Sequence, residues 1–161
     1  MSRSLLAVSL LLAFAAPATA STVEPGEWEQ TVSIDASEGG PHGSMKRTVR
    51  SCITSQDAST LGDKQRWADE MVRANPQAEC KVKETKQEGN AISAVLACKN
   101  DVILTVRQDF QGTTGKIVAE TTMGGVTQGK NTIESKRISD ACSPESIEQW
   151  KSMNPGKTFA P

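Results

Sequence analysis

Four cysteines constrain this chain more than any other feature, because all of them follow a segment that looks like a cleavable export signal. Residues 1–20 carry one cation, Arg3, then an apolar run over residues 5–16, and end in the small-x-small pattern that signal peptidase recognises. Cleavage is expected between Ala20 and Ser21. The cysteines would then reach the periplasm or the medium, an oxidising compartment where thiols pair as disulfides.

The predicted mature chain is long enough for one domain and contains no candidate membrane span. The apolar run of residues 5–16 is shorter than the roughly 20 residues that a helix needs to cross a ~30 Å hydrocarbon core. No later run approaches that length. We expect a disulfide-stabilised domain over residues 21–142, followed by a C-terminal helix and tail over residues 143–161.

The charge balance argues against nucleic acid as a partner. Arg3 is the only charged residue of the signal, so the mature chain keeps 17 of the 18 Lys and Arg residues and all 19 Asp and Glu. A nucleic-acid-binding domain normally has a strongly basic face. The chain also has three Trp, three Phe and no Tyr. Its core must therefore be mostly aliphatic, and disulfides should contribute much of its stability.

Short segments of alternating apolar and polar residues predict a mainly β fold. Residues 28–34 and 45–53 read as the first two strands, joined by a Gly-rich loop at residues 39–43. Asp63 is the expected N-cap of a helix over residues 64–74. Five further strands follow, over residues 81–86, 91–98, 101–110, 116–123 and 126–138.

This order indicates one antiparallel meander. We expect a curled sheet, barrel-like or a sandwich, with a helix inserted after the second strand. Ser143-Pro144 predicts the start of a C-terminal helix, because serine is a good N-cap and proline suits the first helical position. Ile147, Trp150 and Met153 are the apolar residues of this helix that could dock on the domain.

One hairpin predicts how the cysteines pair, although four cysteines allow three connectivities. If Glu88-Gly89-Asn90 is a three-residue loop, Cys80 lies opposite Cys98 and Val82 opposite Leu96, all on one face. A register shifted by one residue would move every side chain to the other face. The alternative is a metal or redox site, but no C-x-x-C spacing is present. The predicted bridges are Cys80–Cys98 and Cys52–Cys142.

No arrangement of residues in the sequence points to catalysis. His42, the only histidine, lies in the expected loop, where a general base would not be held against its partner. Carboxylates such as Asp69 and Glu145 lie among cations on predicted helices. Neither a Gly-rich phosphate loop after a strand nor a G-x-S-x-G sequence is present. We predict no catalytic residue, no cofactor and no metal.

Several short motifs occur in a recognisable order. They are Pro25-Gly26-Glu27-Trp28, Cys52-Ile53-Thr54 with Asp57-Ala58, Cys80-Lys81-Val82, Gly89-Asn90 before Cys98, and Lys136 to Cys142. With these motifs, residues 25–142 resemble DUF3617, a bacterial exported family of unknown function. The family typically closes with Gly-Asp-Cys, whereas Ser139 and Ala141 alter that ending here. The resemblance implies a fold and a location and offers no catalytic residue.

The sequence thus predicts a periplasmic or secreted, non-catalytic module that binds a partner or associates with the cell envelope. One alternative is a carrier of a small apolar ligand in a β-cavity, as in small lipid-binding barrels. Another is a partner of an envelope protein that uses a sheet edge or the C-terminal helix. A hydrolase that uses His42 ranks last. The residues expected to line a cavity are Trp28, Trp67, Val102, Leu104 and Phe110.

Overall fold

A computed structural model describes residues 22–36 and 44–160, which form a mainly β fold with three α-helices. The strands are β1 (Thr22–Val23), β2 (Gly26–Ala36), β3 (Met45–Ile53), β4 (Lys81–Glu88), β5 (Ala91–Ala97), β6 (Val102–Gly112), β7 (Thr114–Met123) and β8 (Val126–Ser139). The helices are α1 (Ser55–Leu61), α2 (Lys64–Ala74), a one-turn 3-10 helix (Pro76–Ala78) and α3 (Pro144–Met153). The predicted signal at residues 1–20 and the predicted loop at residues 39–43 lie outside the described residues.

The strands form one sheet in the order β3-β2-β8-β7-β6-β5-β4, and β1 pairs in parallel with the end of β6. All the other neighbours are antiparallel, as predicted. The sheet is open, so the expectation of a barrel-like or sandwich closure is wrong. The two edge strands, β3 and β4, are connected through α1 and α2. These helices pack on one face of the sheet and do not bring the edges together.

The two helices after β3 each begin at a side-chain cap, and the second cap, Asp63, is the one that the sequence predicts. Thr54 Oγ1 accepts a hydrogen bond from the Asp57 N–H at 3.1 Å, and the Asp57 carboxylate accepts one from the Thr54 N–H at 3.0 Å. This reciprocal pair is a capping box. Asp63 caps α2 by accepting from the N–H groups of Arg66 and Gln65. The bond from Arg66 holds the pKa of Asp63 below its usual range.

The β4–β5 hairpin reaches the predicted cysteine pairing by a different register. Its turn has two residues, Gly89-Asn90, and not the three expected, so Glu88 lies opposite Ala91. A β-bulge between Val82 and Glu84 then shifts β4 by one residue. Beyond the bulge Val82 lies opposite Leu96, as predicted, and Cys80 bonds to Cys98.

The core lies on one face of the sheet, which we call the helix-covered face. Trp67 and Ala68 of α2 pack on Ile92, Ala94 and Val106. A second cluster joins Ala58 of α1 to Trp28, Ile53 and Phe110, with the Trp28 and Phe110 rings edge to face at 5.8 Å. Aromatic pairs favour this geometry. Each helix therefore buries its apolar stripe against alternate residues of the strands.

The C-terminal helix α3 docks on the β3 side of the molecule. The disulfide Cys52–Cys142 holds its start, and Trp150 is buried. Trp150 Nε1 donates a hydrogen bond to the Asp57 carboxylate at 2.7 Å. Met153, which the sequence predicted to dock, is 60% exposed. Among the described residues, no helix has the length and apolar character needed to cross a bilayer.

Candidate functional site

An apolar cavity of about 320 Å³ lies between the C-terminal end of α2 and strands β5–β7. This volume is at the lower end of the roughly 300–1,000 Å³ that is usual for ligand pockets. Its size suits a small ligand or one portion of a longer ligand. The lining residues are Met71, Asn75, Ala78, Cys80, Leu96, Cys98, Lys99, Asn100, Val102, Leu104 and Thr121.

The short disulfide and one turn shape the cavity wall. Cys80–Cys98 closes the end of the β4–β5 hairpin. The Lys99 N–H donates to the Ala78 carbonyl at 3.1 Å, which ties the β5–β6 turn to the 3-10 helix after α2. The Cys98 N–H donates to the Val102 carbonyl at 2.8 Å. The cavity is therefore formed by elements that covalent and hydrogen bonds hold together.

The structure divides the five predicted lining residues between the cavity and the core. Val102 and Leu104 line the cavity. Trp67 packs in the first core cluster, which Leu104 also contacts. Trp28 and Phe110 lie in the second cluster and are almost fully buried. The alternation along β6 correctly put Val102, Leu104 and Phe110 on one face of the sheet. Which part of that face stays accessible depends on where the helices pack.

Two larger grooves on the surface are wide and shallow. One, of about 650 Å³, follows the β4 edge beside α2 and includes Asp69, Arg73 and Lys81. The other, of about 550 Å³, lies near β1 and α1. Within the described residues, no group of three or more His, Cys, Asp and Glu side chains is placed to hold a metal ion. His42 lies outside the described residues.

Glu27 is a buried carboxylate to which the sequence analysis assigned no role. Its Oε1 accepts hydrogen bonds from the hydroxyls of Ser143 and Ser146, the latter at 2.6 Å. These bonds lower the pKa of Glu27, and the positive charge of Arg50 adds to the effect. The carboxylate lies at the N-terminus of α3, where the helix dipole also favours a negative charge. Glu27 therefore holds α3 in place, which is a structural role.

Gln108 is a buried polar residue on the helix-covered face, between Val106 and Phe110 of β6. Its amide Nε2 donates to the carbonyl of Leu61, the last residue of α1. This bond satisfies a carbonyl that would otherwise lack a partner at the helix end. The alternation along β6 could have placed Gln108 inside, but the acceptor is 47 residues away in the chain. No local pattern identifies such a partner.

Comparison with known proteins identifies a family to which the chain is similar. The profile of the family described as "Protein of unknown function (DUF3617)" matches residues 23–142. No curated protein and no solved structure matches the chain. The matched region includes all eight strands but for the first residue of β1, both disulfides and every residue of the cavity, and it ends before α3. The chain therefore belongs to the DUF3617 family.

Proposed function

We propose that this chain is an exported, non-catalytic binding module that takes a small apolar ligand, or the apolar part of a larger one, into the cavity beside α2. The observation that carries the proposal is the chemistry of the cavity lining. Met71, Leu96, Val102 and Leu104 form its walls, and Lys99 is the one charged residue among those lining it. Removing apolar surface from water at such a site favours binding by about 25 cal/mol per Å² buried.

The polar groups at the rim do not form a catalytic arrangement. Lys99 Nζ lies 3.5 Å from a carboxylate oxygen of Glu79, in an exposed ion pair. Asn75 and Asn100 are amides, which can orient a ligand but do not exchange protons near neutral pH. This combination of apolar walls and a few polar rim groups is typical of binding sites for small molecules.

Export is supported by the chemistry of the cysteines. All four are paired in disulfides, and the described residues contain no free cysteine. Disulfides of this kind persist in the periplasm or outside the cell and are rare in a reducing cytoplasm. We therefore propose that the mature protein begins near Ser21 and acts in the periplasm or the medium.

A fluorescence titration with the uncharged probe N-phenyl-naphthylamine tests the binding function. The purified disulfide-bonded protein should bind the probe saturably. Thr121→Phe should weaken this binding about tenfold or more, a loss of at least about 1.4 kcal/mol, because the ring takes up space in the cavity that the probe needs. Thr122→Phe is the matched control, since Thr122 pairs with Ile103 on the opposite face of the same strand.

Melting temperatures of both variants report whether they fold. Absence of saturable binding to the wild-type protein would refute the proposed function. Equal affinities of the two folded variants would show that the probe binds elsewhere.

A protein-binding role through a sheet edge or through α3 is the second candidate, and two observations disfavour it. The edge strand β4 carries Lys81, Lys83 and Lys86, and lysines on an edge strand oppose pairing with another chain. Helix α3 is already docked through Trp150 and the Cys52–Cys142 bridge.

A further inference from the structure

The helices contact only part of the helix-covered face, and the cavity adjoins the rest of it at Thr121. On β7, Thr121 lines the cavity, and Ala119 and Met123 are the next residues on the same face. The strand pairing extends this face across β8 and β2 to β3. We call its uncovered apolar residues the apolar patch: Val32, Ile34, Met45, Met123, Val126 and Ile133.

The patch exposes large apolar side chains to water. Met45 is 49% exposed, Met123 47% and Val126 62%. Val32, Ile34 and Ile133 are half-buried, and none of the three belongs to either core cluster. Full burial of one such side chain stabilises by about 1.5–3 kcal/mol. A ligand that covered the patch would gain a share of this free energy at each residue.

The charges on these four strands are divided unequally between the two faces. By register, Arg47 is the one charged residue on the patch face within residues 30–35, 45–50, 115–123 and 126–136. Arg137, the next charged residue on that face of β8, lies beyond the patch and is held in ion pairs with Glu24 and Asp140. Arg47 is exposed and lies opposite Val32, beside Met45. The other charged residues of these ranges lie on the opposite face: Asp35, Lys46, Arg50, Lys116, Glu120, Lys130, Glu134 and Lys136. A single cation at the border of an apolar surface complements a ligand that is apolar along its length and negative at one end.

The dimensions of the patch favour a single chain over a protein partner. With strands about 4.8 Å apart and residues about 3.4 Å apart along a strand, the patch measures about 14 Å by 20 Å, or about 280 Å². A stable protein interface needs about 800 Å² on each partner. By the same spacings Thr121 and Arg47 lie about 20 Å apart. An acyl chain of a lipid leaflet, which spans about 15 Å, reaches most of that distance.

We propose that the ligand is a single-chain amphiphile with an anionic headgroup. Its hydrocarbon chain lies on the apolar patch and extends toward the cavity at Thr121, and its headgroup binds the Arg47 guanidinium. The inference rests on the proposed function, because it names the class of ligand for the same cavity and extends the site to β3. A carboxylate and a phosphate would both suit the guanidinium, which donates paired hydrogen bonds to either group.

Calorimetric titration with tetradecanoate and tetradecanol, below the concentrations at which they aggregate, tests the headgroup directly. The wild-type protein should bind tetradecanoate about tenfold more tightly than tetradecanol, as expected for one charge-assisted hydrogen-bonding pair. Arg47→Gln should abolish the preference by weakening tetradecanoate binding to about the affinity for tetradecanol. Lys46→Gln is the matched control, because it removes the same charge from the adjacent residue on the opposite face. Arg47→Lys should keep part of the preference. Tetradecyl phosphate compared with tetradecanoate distinguishes a lipid-type phosphate from a carboxylate.

Equal affinity of the wild-type protein for tetradecanoate and tetradecanol would overturn the inference and leave the proposed function intact. Equal losses in Arg47→Gln and Lys46→Gln would also overturn it, since the effect would then be one of net charge. Binding of N-phenyl-naphthylamine without binding of either tetradecyl compound would overturn the inference alone. A second copy of the chain is the other possible occupant of the apolar patch, and sedimentation of the ligand-free protein tests it. A dimer that Ile34→Glu dissociates would show that a second copy covers the patch, and would overturn the inference.

Discussion

Glu27 lies buried where the start of β2 meets the N-terminus of α3, and hydrogen-bond donors stabilise its negative charge. Ser143 and Ser146 donate to the same carboxylate oxygen, and the Ser143 N–H points to it at 3.4 Å. A buried carboxylate without such donors would be strongly destabilising. The alternation of β2 places Glu27 on the face opposite to Trp28, so its burial depends on α3, which is 116 residues away. Sequence periodicity therefore could not identify this contact.

Glu27→Gln should lower the free energy of unfolding by about 2 kcal/mol at pH 7, because charge-assisted hydrogen bonds are replaced by neutral ones. The folded pKa of Glu27 is below its ordinary value of 4.5, so the unfolded state takes up a proton first as the pH falls. The stability that the charge contributes is complete above that ordinary value and is lost as the pH falls through the folded pKa. Urea denaturation at pH 7, 5 and 3 measures the difference in the free energy of unfolding between the wild type and the variant, which should be smaller at pH 3. A difference that does not change with pH would contradict this account.

Helix α3 lies beyond the family match, yet it is part of the folded domain. Trp150 joins it to α1 through the Asp57 carboxylate, which also closes the α1 capping box. The Phe159 ring packs edge to face on Trp150 at 5.4 Å. Lys157 Nζ reaches a Glu70 carboxylate oxygen of α2 at 3.2 Å, but this exposed pair contributes little. The helix is held mainly by Trp150, Glu27 and its disulfide.

Trp150→Ala should destabilise the domain by about 3–5 kcal/mol, because it leaves a cavity and removes the donor to Asp57. Met153→Ala is the control on the same helix, since Met153 is 60% exposed and its truncation should change stability by about 0.5 kcal/mol or less. Chemical denaturation of both variants measures the difference. Similar losses would mean that α3 is held by its disulfide and not by packing.

The β4–β5 hairpin shows how far the sequence determines an element. The pairing of Val82 with Leu96 and of Cys80 with Cys98 followed from keeping apolar residues on one face. The length of the turn could not be predicted in this way. The expected three-residue loop is a two-residue turn, with Gly89 at a φ of 59°. The bulge near Lys83 adds the missing residue. A register predicted without the bulge is therefore right on one side of it and wrong by one residue on the other, and no residue type marks the position of a bulge.

At the scale of the whole molecule, local pairings were predictable and the distant one was not. The strands from β4 to β8 follow one another in the sheet, as a meander does. The N-terminal hairpin joins them through β2 and β8, which are about 100 residues apart, with Val32 opposite Ile133. This pairing leaves β3 as an edge and the sheet open. The register of β3 with β2 in turn places Arg47 opposite Val32, on the patch face, which a reading of β3 alone could not reveal.

The two disulfides should therefore serve different purposes, and their removal should separate stability from binding. Cys52–Cys142 closes a loop of 90 residues, and Cys80–Cys98 one of 18. The loop-entropy model gives about 4.6 and about 3 kcal/mol for them. The double variant Cys52→Ser/Cys142→Ser should thus melt at the lower temperature. It should still bind N-phenyl-naphthylamine with near wild-type affinity when folded, because neither cysteine lines the cavity.

Cys80→Ser/Cys98→Ser should show the opposite pattern. It should lose less stability and yet bind the probe more weakly, because both cysteines lie in the cavity wall and their bridge fixes the end of β4 against the β5–β6 turn. Thermal denaturation and probe titration of the two double variants, at a temperature where both are folded, make the comparison. If Cys52→Ser/Cys142→Ser has both the lower melting temperature and the lower affinity for the probe, the short bridge acts on stability alone and the cavity does not depend on it.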